Sequence, residues 1–432
     1  MKRVLLLLIL CFAVCVMLCG CNDRQNVPPD GGENQVVQEP DVPPEEPDEP
    51  PEAPWGEAYT YLQDGAIPEG DPAEIVTAQG VLRETEYEGL LSEGGWLLGA
   101  DDQQRIFVLN METYNLELVS REGEQETVLE NVMGDRDRQV ECVYWDGGRY
   151  VAWSESVESF TWFGETSGGE WGVYLADLQT GEITCIEEDA GIRPASNYIT
   201  SYAGQAELAI ADGLVSYVSF TEQNGWPTPT IMLYDIAAQQ LTPIGYLQGN
   251  PTENGIGTPA IGSGYVAWSQ AYVLPEWLYE GYTVLYNVAT GETTTWETEE
   301  NVIHPHIVGD YMICESKPNE TLHDGEIILF EQASGTVLRR VTVGHPSYAS
   351  YGGDGVNLGR VSSCGSYFTW NGSVVSDVCL MDTQTGKLYV ISKEGLSEVL
   401  NVNLYPGKLM TWGVRDVVDG ELITTTYYCF LK

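Results

Sequence analysis

One short unit recurs along most of the chain and limits the folds that the chain can adopt. Each copy begins with a strand that ends in an aromatic residue or its substitute, as in Tyr-Val-Ala-Trp at residues 150–153. A variable loop follows, and then a second strand, a tight turn and a third strand. Such strands stand at residues 150–153, 217–220, 265–268, 311–314, 367–370 and 409–412. No helical periodicity separates the copies, so the pattern predicts an all-β fold made of repeated small sheets.

The turn within each unit has its own side-chain chemistry. In the copy at residues 173–181, Asp177 caps the turn, Thr180 adds a second local acceptor, and Gly181 takes the left-handed position of a bulged hairpin. Counterparts lie at residues 232–235, 284–291, 328–335 and 379–386. Because whole strand–loop–strand–turn–strand units return, the pattern favours a β-propeller over a β-sandwich.

The spacing of the units predicts the number of blades. Consecutive aromatic positions are separated by roughly 40 to 65 residues, the usual length of a propeller blade. Seven blades fit best, with six or eight as alternatives, and the units lie near residues 86–125, 140–187, 206–245, 258–297, 303–343, 358–392 and 398–432. The last unit has three strands, and residues 75–83 alternate apolar residues outside any unit. We expect residues 75–83 to pair with residues 423–431 and close the ring, which removes two sheet edges.

These repeats resemble the TolB-like family of propellers. The family's blades carry patterns similar to the Tyr-Val-Ala-Trp-Ser at residues 265–269 and to the Leu-Tyr-Asn-x-x-Thr-Gly-Glu at residues 285–292. The resemblance covers roughly 300 residues and concerns the fold. It implies a platform for protein interactions in the cell envelope.

The N-terminus has the features of an export signal. Lys2 and Arg3 precede an apolar run at residues 4–18, which is shorter than the roughly 20 residues of a membrane-spanning helix. The sequence Leu-Cys-Gly-Cys at residues 18–21 then resembles the lipobox of bacterial lipoproteins. That resemblance implies cleavage before Cys21 and lipid on this cysteine. The alternatives are an ordinary signal peptide with an incidental cysteine, or an uncleaved anchor helix.

The residues after Cys21 predict a tether. Proline and acidic residues dominate this stretch, as at residues 43–51, and there is almost nothing apolar to bury, so it is expected to stay extended. We therefore expect a signal peptide at residues 1–20, a lipidated and disordered tether at residues 21–56, and a propeller at residues 57–432. This organisation predicts an extracytoplasmic domain that is anchored to the cell membrane through lipid.

Charge and cysteine usage exclude several partners. The net charge is −46, from 65 acidic residues against 19 lysines and arginines, so nucleic acid is excluded and anionic lipid would not attract the chain directly. No cofactor is predicted; calcium is a cation that carboxylates could hold, but no Asp-x-Asp-x-Asp-Gly loop is present. The six cysteines beyond residue 56 show no Cys-x-x-Cys spacing and mostly stand in apolar strands, which predicts buried free thiols.

Aromatic residues concentrate in the segments expected on one face of the ring. In a propeller, the loop between a blade's second and third strands shares a face with the connection to the next blade, and here those segments are long. Exposed tryptophan and tyrosine beside carboxylates suit a protein partner or the stacking of sugar rings, although single tryptophans can also cap blade cores. The predicted ligand-binding residues are Trp162, Trp171, Trp226, Trp277, Tyr279, Tyr348 and Asp354.

No catalytic residues emerge from the sequence. There is no Gly-x-Ser-x-Gly elbow, phosphate loop or Rossmann glycine pattern. His304 and His306 could place two imidazoles on one face of a strand, but no third metal ligand is identifiable. The leading hypothesis is a binding protein for an envelope protein, peptide or glycan. The alternatives are a polysaccharide-active enzyme with two carboxylates in the central funnel, and a purely architectural component.

Overall fold

In the computed structural model, every described residue belongs to one compact unit, Ala53–Lys432. No helix among those residues is long and apolar enough to cross a membrane. The described residues are 61–62, 69–81, 95–134, 136–156, 167–168, 170–189, 192–193, 208–223, 226–248, 254–273, 279–296, 301–317, 326–332, 337–342, 359–371, 378–392, 399–418 and 421–432.

An N-terminal segment precedes the repeated sheets. It contains β1 (Tyr61–Leu62), β2 (Glu69–Gly70), the short helix α1 (Pro72–Ile75) and β3 (Val76–Val81). Asp71 caps α1 by accepting a hydrogen bond of 2.9 Å from the Ala73 N–H, and Pro72 occupies the first helical turn, where it costs no backbone bond.

Among the described residues, seven sheets of four or more strands follow, which we number as blades 1 to 7 in chain order, each with its innermost strand first. Blade 1 contains β4 (Trp96–Ala100), β5 (Ile106–Leu109), β6 (Leu116–Val119) and β7 (Gln125–Leu129). Blade 2 contains β8 (Gln139–Trp145), β9 (Tyr150–Ser156), β11 (Trp171–Asp177) and β12 (Glu182–Asp189). A separate two-stranded sheet pairs β10 (Ser167–Gly168) with β13 (Ile192–Arg193). Blade 3 contains β14 (Leu208–Ala211), β15 (Leu214–Gln223), β16 (Trp226–Asp235) and β17 (Gln240–Tyr246).

The later blades repeat this plan. Blade 4 has an interrupted inner strand, β18 (Asn254–Ile256) and β19 (Ala260–Gly262), followed by β20 (Tyr265–Val273), β21 (Tyr279–Asn287) and β22 (Thr293–Trp296). Blade 5 contains β23 (Asn301–Val308), β24 (Tyr311–Lys317), β25 (Glu326–Glu331) and β26 (Val337–Thr342). Blade 6 contains β27 (Gly359–Cys364), β28 (Tyr367–Asn371), β29 (Val378–Asp382) and β30 (Leu388–Ser392). Blade 7 contains β31 (Val399–Tyr405), β32 (Leu409–Val418) and β33 (Glu421–Leu431).

The inner strands show that the sheets form a ring. Each of β4, β8, β14, β19, β23, β27 and β31 contacts the next, and β31 returns to contact β4. The predicted β-propeller is therefore confirmed. Six sheets take their four blade strands from one continuous stretch of chain, while blade 7 combines three C-terminal strands with β3.

The predicted closure of the ring is also confirmed. β3 pairs antiparallel with β33, from Val76 opposite Leu431 to Val81 opposite Tyr427. The strands just before it cover further edges, because β1 pairs with the outer strand of blade 5 and β2 with that of blade 6. Paired outer strands leave fewer backbone groups open to edge-to-edge association.

Three tryptophans of the blade repeat, Trp153, Trp268 and Trp412, lie in the core, as the repeat predicts. Trp153 and Trp268 are 1% exposed and Trp412 is 4% exposed, each at the same position of its second strand. The apolar clusters run between neighbouring blades, so that one cluster joins Leu98 and Phe107 of blade 1 to Trp153 of blade 2. Removing a buried aromatic side chain of this size typically costs about 3–5 kcal/mol.

The prediction that the cysteines are buried thiols is right for some of them and wrong for one. None of the six forms a disulfide: Cys142, Cys314 and Cys429 are buried, while Cys364 and Cys379 are partly buried. Burial raises the pKa of Cys429 to about 12. Cys185 is exposed, because it stands in β12, the outermost strand of blade 2.

Candidate functional site

The propeller has two unlike faces. The short-turn face, as we call it, carries the turns from the first to the second strand and from the third to the fourth strand of each blade. The long-loop face carries the turns from the second to the third strand and the connections between blades. On the short-turn face, two residues join the inner strand to the second strand in four blades, at residues 212–213, 263–264, 309–310 and 365–366.

Backbone hydrogen bonds hold the two kinds of turn on the short-turn face together. In five blades, a residue of the outer turn, between the third and fourth strands, donates its N–H to a carbonyl of the inner turn, between the first and second strands. These bonds are Leu178 to Arg149 (2.9 Å), Ile236 to Gly213 (3.0 Å), Val288 to Gly264 (2.9 Å), Gln332 to Asp310 (3.3 Å) and Thr383 to Ser366 (2.9 Å). Such a repeated bond makes this face a fixed frame.

The predicted turn chemistry is confirmed in detail. The Asp177 carboxylate accepts a hydrogen bond of 3.0 Å from the Gln179 N–H, and Gly181 has a φ of 76°. Asn287 and Asp382 cap the corresponding turns of blades 4 and 6, through the Ala289 N–H and the Gln384 N–H.

A cavity of about 510 Å³ opens on the short-turn face. The inner turns of four consecutive blades, blades 3 to 6, form its lining, and the outer turn of blade 6 adds Thr383 and Gln384. Asp212 and Asp310 contribute two carboxylates, and the described lining contains no lysine or arginine. Ile261 and Ile307 give the same cavity an apolar wall.

The opposite side of the same mouth is closed. The 3-10 turn Pro406–Lys408 of blade 7 packs on the end of β4 so tightly that a Cβ atom at Gly407 would lie 1.7 Å from the Ala100 carbonyl oxygen. A Cβ atom at Gly147, in the inner turn of blade 2, would lie 3.1 Å from Pro406. One turn thus covers the inner ends of blades 1 and 2, while blades 3 to 6 leave the cavity open.

The long-loop face exposes a tryptophan at the inner rim of the ring. Trp96 is the first residue of β4 and pairs with Leu109, the last residue of β5, which places it at the long-loop end of blade 1. Its side chain is 39% exposed. This value contrasts with the buried blade tryptophans, so Trp96 is available to a ligand.

An ion pair between a buried carboxylate and a partly exposed arginine supports the long-loop face at blade 2. The Glu155 side chain is fully buried and accepts hydrogen bonds from Arg136 at 2.7 Å and 2.6 Å and from the Trp153 indole N–H at 2.7 Å. The Arg136 guanidinium also lies over the Tyr174 ring, 4.2 Å from its centroid. A buried carboxylate needs such partners, because an unpaired charge in the interior is strongly destabilising.

A second arginine extends this network toward the surface. Arg138 donates to the Tyr174 hydroxyl at 2.9 Å and to Glu188 at 2.7 Å. Burial, with the Glu155 carboxylate nearby, raises the pKa of Tyr174 to about 12. The hydrogen bond from Arg138 lowers the pKa of Glu188. The network therefore joins the connection that enters blade 2 to the ends of its strands.

The predicted aromatic residues separate into three groups. Trp226 and Tyr279 begin the third strands of blades 3 and 4, so their backbones lie on the long-loop face as expected. Trp171 is also the first residue of a third strand, but the expectation of an exposed loop residue is wrong for it. Its side chain is 3% exposed and packs with residues such as Val173 and Tyr217 between blades 2 and 3. Five predicted residues lie outside the described part of the chain: Cys21, Trp162, Trp277, Tyr348 and Asp354.

The histidine pair does not keep the regular strand geometry on which its prediction depends. The pairing of β23 with β24 shifts between Ile303 and His306, and His304 has a φ of 51°. This bulge interrupts the alternation that would place both imidazoles on one face. Among the described residues, no group of three histidine, cysteine or acidic side chains could hold a metal ion.

Two features of the site were missed by sequence reasoning. The leading hypothesis placed function on the long-loop face, whereas the described cavity lies on the short-turn face. Its signal was present in the pairs Asp212-Gly213 and Ser263-Gly264, which are typical two-residue hairpin turns at one position of successive blades. Trp96 carries no such signal, because its neighbours do not distinguish it from a core tryptophan.

The chain is similar to several solved structures, all at low sequence identity. No family model and no curated protein sequence matches this chain. Among solved structures, dipeptidyl peptidase 4 from Porphyromonas gingivalis is similar at 10% identity and a TM-score of 0.48, covering 81% of this chain and 56% of that one. TolB from Acinetobacter baumannii is similar at 13% identity and a TM-score of 0.36, covering 68% of this chain and 62% of TolB. The chain thus spans less than two thirds of the length of either protein.

A third similar structure is a propeller by itself. The β-propeller domain of the Trilobed protease from Pyrococcus furiosus is similar at 11% identity and a TM-score of 0.45, covering 76% of this chain and 97% of that domain.

Proposed function

We propose that this chain is a lipid-anchored, extracytoplasmic binding protein whose long-loop face engages an envelope protein, peptide or glycan. The observation that carries the proposal is the exposed Trp96 at the inner rim of that face, while Trp153, Trp268 and Trp412 of the blade repeat are buried. Tryptophan combines a large apolar surface with a hydrogen-bond donor, which makes it a frequent centre of protein and sugar recognition.

The construction of the long-loop face supports this proposal. The ring is closed by β3, and the Arg136–Glu155 pair fixes the connection that enters blade 2. Long connections on a rigid scaffold are the usual carriers of binding function. The long second-to-third-strand connection at residues 157–170 leaves blade 2 beside this pair and contains Trp162.

The binding face can be tested by substituting its aromatic residues. The full chain is immobilised and probed with glycan arrays and with detergent-extracted envelope proteins. We expect Trp96→Ala, and the triple variant Trp162→Ala, Trp226→Ala and Trp277→Ala, to weaken the bound signal at least about tenfold, because hot-spot truncation costs about 2 kcal/mol or more. Unchanged binding by both variants would show that this face is the wrong one.

Tyr144→Ala provides the matched control. Tyr144 is 46% exposed and lies on the inner strand β8, two residues before the inner turn of blade 2 and thus near the short-turn face. Its substitution removes an exposed aromatic side chain from the same ring, and the proposal expects binding to be retained.

The anchor requires a separate test. We expect metabolically supplied palmitate to label the chain in a bacterial host, and Cys21→Ser to lose both the label and membrane association. A Cys21→Ser chain that keeps its label would contradict lipidation at this residue.

The alternative of a polysaccharide-active enzyme has one observation in its favour, since Asp212 and Asp310 line one cavity. Both residues are exposed on turns. The general acid of such an enzyme needs an environment that raises its pKa, most often an apolar one. The exposed positions therefore favour binding over glycoside hydrolysis at this cavity.

A further inference from the structure

We propose that the cavity on the short-turn face is a second binding site, and that it takes a small alkylammonium ion such as a polyamine or a lysine side chain. The site is distinct from the long-loop face and does not depend on the function proposed for that face. Its volume of about 510 Å³ lies within the range of sites that bind small molecules, roughly 300–1,000 Å³.

The charge of the lining selects a cation. Asp212 and Asp310 face the cavity from the inner turns of blades 3 and 5, without a lysine or arginine among the described lining residues. Neither carboxylate forms an ion pair with a described residue, unlike Glu155, which is fully paired. Carboxylates accept strong charge-assisted hydrogen bonds from ammonium groups, whereas an anionic ligand would meet repulsion.

The apolar part of the lining selects an organic cation over a metal ion. Ile261 and Ile307, on the inner strands of blades 4 and 5, supply apolar lining beside the aspartate-bearing turns of blades 3 and 5. Burial of methylene groups against such a wall is favourable, whereas apolar contact does not stabilise a hydrated metal ion. Calcium would in addition need six or more oxygen ligands, and two monodentate carboxylates supply few of them.

The turns that carry the two carboxylates are fixed before a ligand arrives. Asp212 and Gly213 have φ values of 54° and 76°, as in the tight turns that suit β-hairpins. In blade 5, the Gln332 side-chain amide donates to the carbonyls of Gly309 and Tyr311 at 3.1 Å and 2.8 Å, on either side of Asp310. A preorganised site loses little conformational entropy when it binds.

Isothermal titration calorimetry of the full chain with spermidine tests the site, at about 0.15 M salt, where surface attraction is screened within roughly 8 Å. We expect one saturable site per chain. Asp212→Asn and Asp310→Asn should each weaken it about tenfold, the loss of one charge-assisted hydrogen bond. Asparagine tolerates the positive φ at position 212, so this variant preserves the turn.

Glu292→Gln is the matched control, because Glu292 is exposed on the outer turn of blade 4, on the same face but outside the cavity. Its N–H and carbonyl hold the turn, and the substitution leaves these backbone bonds in place. The proposal expects spermidine binding by this variant to equal that of the unchanged chain. An equal loss in Glu292→Gln and in the two aspartate variants would reduce the binding to the net charge of the chain and overturn the site.

A second titration separates the two sources of the ligand. Nα-acetyl-lysine N-methylamide presents one lysine side chain, and triethylene glycol is a neutral chain of similar length. Binding of the lysine derivative at the same site indicates a protein partner, and binding of spermidine alone indicates a free polyamine. Absence of saturable binding by both amines, or equal binding of triethylene glycol, would overturn the proposal.

Discussion

Carboxylates on the two faces of this propeller differ in burial and in their partners. On the long-loop face, the Glu155 carboxylate is fully buried and is held by Arg136 and Trp153. On the short-turn face, Asp212 and Asp310 are exposed on turns at the rim of a cavity. In a chain with 65 acidic residues, acidity alone therefore says little about role. The partners of a carboxylate show whether it supports the fold or is free for a ligand.

The same contrast appears among the turns. Gly407 is pressed against Ala100 on the closed side of the short-turn mouth, whereas a Cβ atom at Gly264 on the open side would meet no atom within 4 Å. Closely packed turns stabilise the ring, and open turns leave space. The predictions below test this division between supporting and open positions.

The largest expected effect is on the Arg136–Glu155 pair of the long-loop face. Glu155→Ala leaves Arg136 without its partner and the Trp153 indole N–H without its acceptor. We expect the free energy of unfolding, measured by urea denaturation, to fall by about 3–5 kcal/mol. A loss below about 1 kcal/mol would show that the network is not a support.

A comparably sharp effect is expected from the closed side of the mouth. Gly407→Ala places a methyl group against the Ala100 carbonyl at a position with a φ of 76°, and should cost about 2–4 kcal/mol. Gly264→Ala is the control, with a φ of 78° and open space, and should cost about 1 kcal/mol. Equal losses in urea denaturation would mean that the 406–408 turn does not close the mouth.

A pH dependence follows from the Tyr174 hydroxyl. Because its pKa is raised to about 12 in the folded chain and lies near 10 in the unfolded chain, folding retains a proton that unfolding releases. The stabilisation that comes from the raised pKa of Tyr174 is complete below pH 10. As the pH rises toward 12, the free energy of unfolding loses this contribution, which is on the order of 2 kcal/mol. The difference in unfolding free energy between Tyr174→Phe and the unchanged chain should shrink over this range; a constant difference would contradict the shift.

The smallest effect is expected for an exposed ion pair on the short-turn face. Arg149 contacts Asp177, and this contact lowers the pKa of Asp177, but the arginine side chain is 45% exposed. Arg149→Ala should therefore change the unfolding free energy by less than about 1 kcal/mol. A loss as large as that of Glu155→Ala would remove the distinction between the two faces.

The repeated parts of the molecule were predictable from the sequence. The strand ending in Trp153 or Trp268 and the turn closed by Gly181 are local patterns, so each identifies its own place in a blade. The pairing of residues 76–81 with β33 was predictable because one apolar strand lacked a unit and one unit lacked a strand. Even here the boundaries shifted, since blade 1 ends at Leu129 and not at the predicted residue 125.

The parts that depend on contacts between separate segments of the chain were not predictable. The cavity requires four inner turns and the outer turn of blade 6 to converge, and it requires residues 406–408 to cover the other side of the mouth. The pairing of Arg136 with Glu155 joins the entry to blade 2 with the end of its second strand. Trp171 is buried because it packs against blade 3, which a pattern within blade 2 does not reveal.

The most direct test of the binding face is a hydrogen-exchange footprint of the full chain, measured with and without saturating amounts of a ligand found by array or extract binding. The account predicts slower exchange at the long-loop ends of the strands, in peptides containing Trp96 and Trp226. It also predicts unchanged exchange at the short turns 263–264 and 309–310. Protection confined to those short turns, with none near Trp96, would contradict it.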